Sequence, residues 1–185
     1  MMNHIDVSTL LRQTLACDLY SNLVTRPTGA AVRYQIEQML LSTNDRALTV
    51  IDFSQVSMID YSCADEVVAK LLMRYVSEDS PRDAYFLFRG VTEHHTDAIE
   101  AVLERHDLAA AVEDDGRVRV MGVLSDDERR VWDAAYALGR ADATEIALEL
   151  GVSVRAAEDA LDSLCRRRLM MRSEDQYVPI GSLRG

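Results

Sequence analysis

Lysine is almost missing from this chain. Lys70 is the only one among 20 basic residues, so arginine carries nearly all the positive charge. Cysteine is scarce as well. Cys17, Cys63 and Cys165 form an odd, scattered set without metal-ligand spacing. That argues against a disulfide scaffold or a bound metal and fits a reducing cytoplasm. No apolar run approaches the ~18–20 residues that a membrane-spanning helix needs. The opening Met1-Met2-Asn3-His4-Ile5-Asp6 has neither a basic start nor a long apolar stretch, so no secretory signal is expected. Thr14-Leu15-Ala16-Cys17 resembles a lipoprotein cleavage site but lacks the hydrophobic segment before it. A Gly-rich phosphate loop, G-x-S-x-G and H-E-x-x-H are all missing too. The expectation is therefore a protein without catalytic activity or cofactor.

What is present is acidic and apolar. The 185 residues carry a net charge of −11 and are 48% hydrophobic, enough for one large or two small cores. Residues 1–124 hold −8 and residues 125–185 hold −3 of that charge. Such a chain is repelled by nucleic acid overall, so any DNA contact needs a local basic patch.

The densest information lies between Leu48 and Leu72. The run Leu48–Phe53 reads as a buried strand, and Val67, Val68, Leu71, Leu72 and Tyr75 recur at helical spacing. Between them Ile59-Asp60-Tyr61-Ser62-Cys63 turns strand into helix, placing Ser62 where free amides and the helix dipole favour a negative group. Two readings follow: Ser62 is the N-cap, or it is a phosphorylation site. Asp52 and Asp60 at strand ends suggest a phosphoacceptor pair, but Lys70 falls inside the helix rather than at the strand end that such a site needs, so the two carboxylates read as turn and cap residues. Cys63 at a helix start invites a lowered thiol pKa, without a histidine beside it in sequence. His94 and His95 are adjacent, hence on different helix faces, and with His106 read as surface residues rather than metal ligands.

Around this segment, Thr28–Leu41 reads as a helix with Val32, Ile36, Met39 and Leu40 inward, and Asn44–Arg46 as a turn. Ala84–Phe88 is a second apolar strand, and Thr92 opens a helix carrying Ile99, Val102 and Leu103. Two short strands, Ala109–Val112 and Val118–Val123, flank the Asp114-Asp115-Gly116 turn. Ile5–Val24 reads as strand and helix pieces completing the sheet. Alternating strands and helices predict an α/β domain over residues 1–122, a sheet covered by helices.

Residues 123–185 read as a separate small α+β domain. Ser125 with Glu128, and Asp142 with Glu145, are capping boxes, and Ser153 caps a third helix. The first helix carries Val131, Trp132, Ala135 and Leu138 inward, and the third Ala157, Ala160, Leu161 and Leu164. Leu169–Arg172 and Tyr177-Val178 then form a hairpin.

The passage Asp52-Phe53-Ser54 … Asp60-Tyr61-Ser62-Cys63-Ala64-Asp65-Glu66 resembles the heart of a STAS domain, the fold of bacterial anti-sigma factor antagonists. With the upstream Thr25-Arg26-Pro27-Thr28-Gly29 it is closer to a STAS-like branch of unknown function. The resemblance covers roughly residues 20–122. In the antagonists an Asp-Ser-Ser/Thr-Gly turn is phosphorylated at its second hydroxyl by a partner serine kinase. Asp60 matches that Asp and Ser62 the modified position, whereas Tyr61 and Cys63 replace the first hydroxyl and the Gly. The resemblance implies a signalling protein that binds a protein partner through Asp60, Tyr61, Ser62, Cys63, Asp65 and Glu66. The C-terminal sixty or so residues resemble a winged helix-turn-helix. That implies either DNA binding, through Ser153, Arg155, Arg166, Arg167, Arg168 and Arg172, or a docking or self-associating role, with acids at Glu158, Asp159 and Asp162 opposing phosphate. In the first case the protein is a transcriptional regulator whose STAS-like half senses or dimerises.

Overall fold

The computed structural model describes residues 2–7, 9, 22–42 and 47–182. The first part of the chain is a mixed α/β unit. Strand β1 (Met2–Asp6) precedes the two-residue β2 (Asn22–Leu23), helix α1 (Arg26–Leu41), β3 (Ala47–Asp52) and the two-residue β4 (Met58–Ile59). Helix α2 is built in three pieces: an α-helical turn at Tyr61–Ala64, a π-helical stretch at Asp65–Lys70, and an α-helical end at Leu71–Val76. Then follow β5 (Ala84–Arg89), α3 (Glu93–Arg105), β6 (Ala109–Asp114) and β7 (Arg117–Gly122). The central sheet has five strands in the order β1-β3-β5-β6-β7; the first four are parallel and β7 returns antiparallel.

The strand sequences follow from burial. In β5 Ala84-Tyr85-Phe86-Leu87-Phe88 is apolar throughout because both faces are covered. Phe86 and Phe88 join Ile51, Ala110 and Val112 under α1, α2 and α3, against Val32, Ile36, Val67, Leu71, Ile99 and Leu103. Tyr85 and Leu87, with Leu48, Val50, Ala109, Ala111, Val118 and Val120, face the opposite way.

That second face is covered by the chain's own C-terminal part: α4 (Asp126–Leu138), α5 (Ala143–Leu150), α6 (Val154–Arg166) and the hairpin β8 (Met170–Ser173) and β9 (Gln176–Pro179). Trp132, Ala135, Ile146, Leu161, Leu164 and Met170 share one core with the sheet residues. The capping boxes at Ser125/Glu128 and Asp142/Glu145 form, and Ser153 caps α6. Glu128 does more than cap: buried, it also accepts from Ser163 and from Arg167 at 3.2 Å.

Several expectations change. Helix α1 begins at Arg26, earlier than Thr28, because Pro27 suits a first turn that has no intrahelical N–H bond to lose. Met39 and Leu138 are 41% and 48% exposed instead of inward; each follows the apolar spacing but lies on the flank of its helix. In the span 5–24, β1 reaches Asp6 and β2 begins at Asn22, while Cys17 and the Asn44–Arg46 turn lie outside the described residues. No helix among the described residues is long and apolar enough to cross a membrane.

Candidate functional site

Two segments singled out by sequence, Thr25–Gly29 and Asp60–Glu66, meet. Strand β2 pairs with β4 in parallel, and the Asp60 amide donates to the Leu23 carbonyl at 3.1 Å. This sets the start of α1 beside the start of α2. The Asp60 carboxylate then fastens both. Its Oδ1 accepts from the Cys63 amide at 2.8 Å and from the Ser62 hydroxyl at 3.0 Å, and its Oδ2 accepts from the Thr25 amide at 2.9 Å. Desolvation opposes ionisation of Asp60, but the Thr25 and Cys63 amides outweigh it and hold the carboxyl below its ordinary range.

The N-cap of α2 is therefore Asp60. Ser62 is not the cap: it lies within the first turn, half-buried, with its hydroxyl donating to the capping carboxylate. A carboxylate suits the site better than a hydroxyl because it accepts from both helices at once.

Cys63 is fully buried, and its Sγ donates to the Thr25 carbonyl at 2.8 Å. Burial, with the Asp60 charge nearby, pushes the thiol pKa up to about 12. The lowered value that a helix start invites is reversed, because burial and the Asp60 carboxylate both oppose the thiolate. Thr25 itself adopts φ 71°, a left-handed conformation for a β-branched residue, as it turns the chain into α1. One turn on, Gly29 passes close to α2. A Cβ there would sit 2.9 Å from the Cys63 Cα and 3.1 Å from the Glu66 Cβ.

Behind this junction lies a network of buried acids and half-exposed bases. The Arg26 Nη1 donates to Asp65 Oδ2 at 2.7 Å and to Glu66 Oε1 at 2.8 Å. Glu66 also takes Lys70 and the Arg33 Nε (3.2 Å), while His106 Nε2 meets Asp65 Oδ1 at 2.8 Å. Glu37 links Arg33 (2.7 Å) to Arg74 (3.1 Å). The side chains of Asp65 and Glu66 are 7% and 3% exposed, against 47% for Arg26. Desolvation raises both carboxyls, but Arg26 and His106 on Asp65, and Lys70, Arg26 and Arg33 on Glu66, bring them below the ordinary range. Both acids open the π-helical stretch, a geometry that occurs mostly as single wide turns and often at functional sites.

The outer rim is formed by Tyr61, 38% exposed, whose hydroxyl accepts from the Arg105 Nη1 at 3.0 Å. Asp52 accepts from the Ser54 amide at 2.8 Å, as a turn residue does. Lys70 is committed to Glu66. His95, expected at the surface, is instead fully buried. Its Nδ1 accepts from the Thr92 amide at 3.1 Å, completing a capping box, and its Nε2 lies 2.9 Å from the Val56 carbonyl. An imidazole reaches both the cap amide and a neighbouring loop, which explains its place inside. Among the described residues no group of His, Cys, Asp and Glu is placed to hold a metal ion.

The C-terminal candidates separate into two sets. Arg167 donates to Glu128, to the Asp107 carbonyl (3.2 Å) and to the Val123 carbonyl (3.3 Å). Arg168 donates to the Tyr75 carbonyl (2.9 Å) and to Asp83 (2.6 Å), with its guanidinium 5.6 Å from the Tyr85 ring centre. Both thus point into the sheet unit. Ser153, Arg155 and Arg166 are exposed on α6, beside the exposed Glu158 and Asp159. Arg172 stacks on Tyr177 at 5.3 Å and lies 3.5 Å from Asp162.

Sequence reading missed Arg33, Glu37, Arg74 and Arg105, whose spacing carries no local motif, and placed His106 at the surface, where it instead pairs with Asp65 and is 23% exposed. Arg26 was within reach, since it belongs to the Thr25–Gly29 segment. No protein-family model matches this chain, and no curated protein does.

Proposed function

We propose that this chain is a non-enzymatic signalling protein that binds a protein partner through the face formed by Asp60–Glu66, with Ser62 as the regulated position. The observation that carries this reading is the Ser62 hydroxyl donating to Asp60 Oδ1, the carboxylate that also holds the Thr25 and Cys63 amides. A phosphate on Ser62 removes that donor and sets ~1.5–2 negative charges against Asp60. The fastening between α1 and α2 then weakens at the surface a partner would touch. The mostly parallel sheet with helices α1, α2 and α3 on one face supports the STAS-like resemblance, and a cytoplasmic anti-sigma-like serine kinase is the partner it implies. The test compares wild type, Ser62→Ala and Ser62→Asp as baits in native lysate, with phosphopeptide mapping of Ser62. A kinase held by wild type and Ser62→Ala and lost by Ser62→Asp supports the reading. Identical recovery by all three, with no phosphate on Ser62, overturns it.

The C-terminal unit reads best as a winged helix used for docking rather than base reading. Support comes from the commitment of Arg167 and Arg168 to internal contacts and from Glu158 and Asp159 on the outer side of α6. Exposed Arg155 and Arg166 keep the DNA reading in play. Salt-sensitive DNA binding lost in an Arg155→Ala/Arg166→Ala variant would favour it instead.

A further inference from the structure

Strand β7 ends the sheet, and its outer edge pairs with no other strand among the described residues. The register identifies the groups on that edge. The Val123 amide donates to the Leu108 carbonyl directly opposite, so alternate residues inward from there, Met121 and Arg119, bond to β6. Val118 and Val120 therefore turn their amides and carbonyls outward. The Val118 amide confirms the parity by donating to the Tyr136 hydroxyl at 3.0 Å.

Helix α4 runs beside this edge and leaves a groove of about 770 Å³, lined by residues 117–120 and by Arg129, Trp132 and Tyr136 among others. Trp132 and Tyr136 stack with ring centres 4.9 Å apart and planes 10° apart. Trp132 is 3% exposed, and its buried indole N–H meets no acceptor among the described residues.

Charge indicates what fits the groove. Arg117 and Arg119 are exposed and alternate along β7, so they share a face, and Arg129 is exposed on α4. None of the three guanidinium groups makes an ion pair among the described residues. Against them the groove sets one exposed carboxylate, Asp133, so in a chain of net charge −11 this edge is locally basic by three arginines to one acid. A second copy docked edge to edge would bring these arginines against their own equivalents, and like charges directly opposite are destabilising.

We propose that the β7 edge accepts an extended segment of a partner protein as a sixth strand, one in which acidic and apolar residues alternate. Its backbone pairs with Val120 and with the Val118 carbonyl. Alternate carboxylates lie beside Arg117 and Arg119, and the intervening apolar side chains enter the groove beside Trp132 and Tyr136. The site is distinct from the Asp60–Glu66 face and does not depend on its assignment.

Trp132 is the only tryptophan, so its fluorescence reports occupancy directly. The full chain is titrated with a capped heptapeptide alternating Glu and Val, with the Lys-for-Glu peptide, and with the Glu peptide N-methylated at alternate amides. Saturable binding of the Glu peptide is expected, weaker by about tenfold or more for each control peptide and for an Arg117→Glu/Arg119→Glu variant. That variant alters only exposed side chains, and its unfolding midpoint is checked alongside. Equal binding of the N-methylated peptide overturns strand addition, and an equal effect of free glutamate would indicate a small-anion site. No binding at millimolar peptide also overturns the proposal, as does a wild-type dimer in sedimentation that Arg119→Glu disperses.

Discussion

Arg168 Nε donates to the Tyr75 carbonyl at 2.9 Å, linking positions 93 apart in the chain. The same guanidinium bonds Asp83 and covers Tyr85, so one side chain of the C-terminal unit grips the end of α2, the following loop and β5. Arg168→Ala is expected to lower unfolding free energy by about 2 kcal/mol, since hydrogen bonds to charged donors contribute ~1.5–3. Denaturant unfolding, followed by both Trp132 fluorescence and circular dichroism, checks this. The two signals should stay coincident, because the halves share a core.

Asp60→Ala removes a cap and a tie between helices together. The loss should reach about 2 kcal/mol, above the ~1 typical of a cap alone. Asp60→Asn keeps one acceptor and should retain roughly half of it. Ser62→Ala, which deletes a donor but no cap, should shift the midpoint far less. If Ser62→Ala proves as costly as Asp60→Ala, the capping assignment is wrong.

Gly29 has no unusual backbone angle, so its requirement is purely one of space. Gly29→Ala presses a methyl group on the Cys63 backbone, and α1 must move away. A destabilisation of about 1–3 kcal/mol is expected despite the gain in helix propensity. A more stable Gly29→Ala would mean the helices part freely at this crossing.

The pH response follows from Asp60, Asp65, Glu66 and Glu128, all held below their ordinary values in the folded chain. Groups with depressed folded values bind protons more readily when unfolded. Their stabilisation is thus complete above the ordinary carboxylate range near ~4 and is lost as pH falls through the lower folded values. His95 is depressed in the same sense, by burial first, and so opposes folding progressively as pH drops below ~6.5. Thermal midpoints should therefore fall in two stages, with His95→Gln flattening only the upper one.

Cys63, buried and with its thiol pKa raised to about 12, should resist iodoacetamide at neutral pH in the native chain. Peptide mapping should find it alkylated only after unfolding. Rapid native alkylation would contradict the packing at Gly29.

Legibility differed by the range of the interaction. The apolar runs at Leu48–Phe53 and Ala84–Phe88, the Asp114–Gly116 turn and the three C-terminal helices with their caps could be read because each is set by neighbours in sequence. Both Ser62 and Asp60 read as caps in the sequence, because local preference does not distinguish a serine two residues into a helix from an aspartate at its start, and only the second bond to Thr25 makes Asp60 the better choice. His95 was misjudged for a related reason, and the internal bonds of Arg168 were equally illegible. Polar side chains look like surface residues until the opposing carbonyls of Val56 and Tyr75 are in place. Met39 and Leu138 erred the other way, since apolar spacing marks a helix face without saying how wide the contact is.

The sheet's second face has a consequence for dissection of the gene. A fragment ending at Gly122 would present Leu48, Val50, Tyr85, Leu87, Val118 and Val120 to water as one contiguous apolar surface. A fragment beginning at Leu124 would strip Trp132 and Leu161 of their lining. Neither piece expressed alone is the protein's own half, and a phenotype obtained from either reports on aggregation as much as on activity.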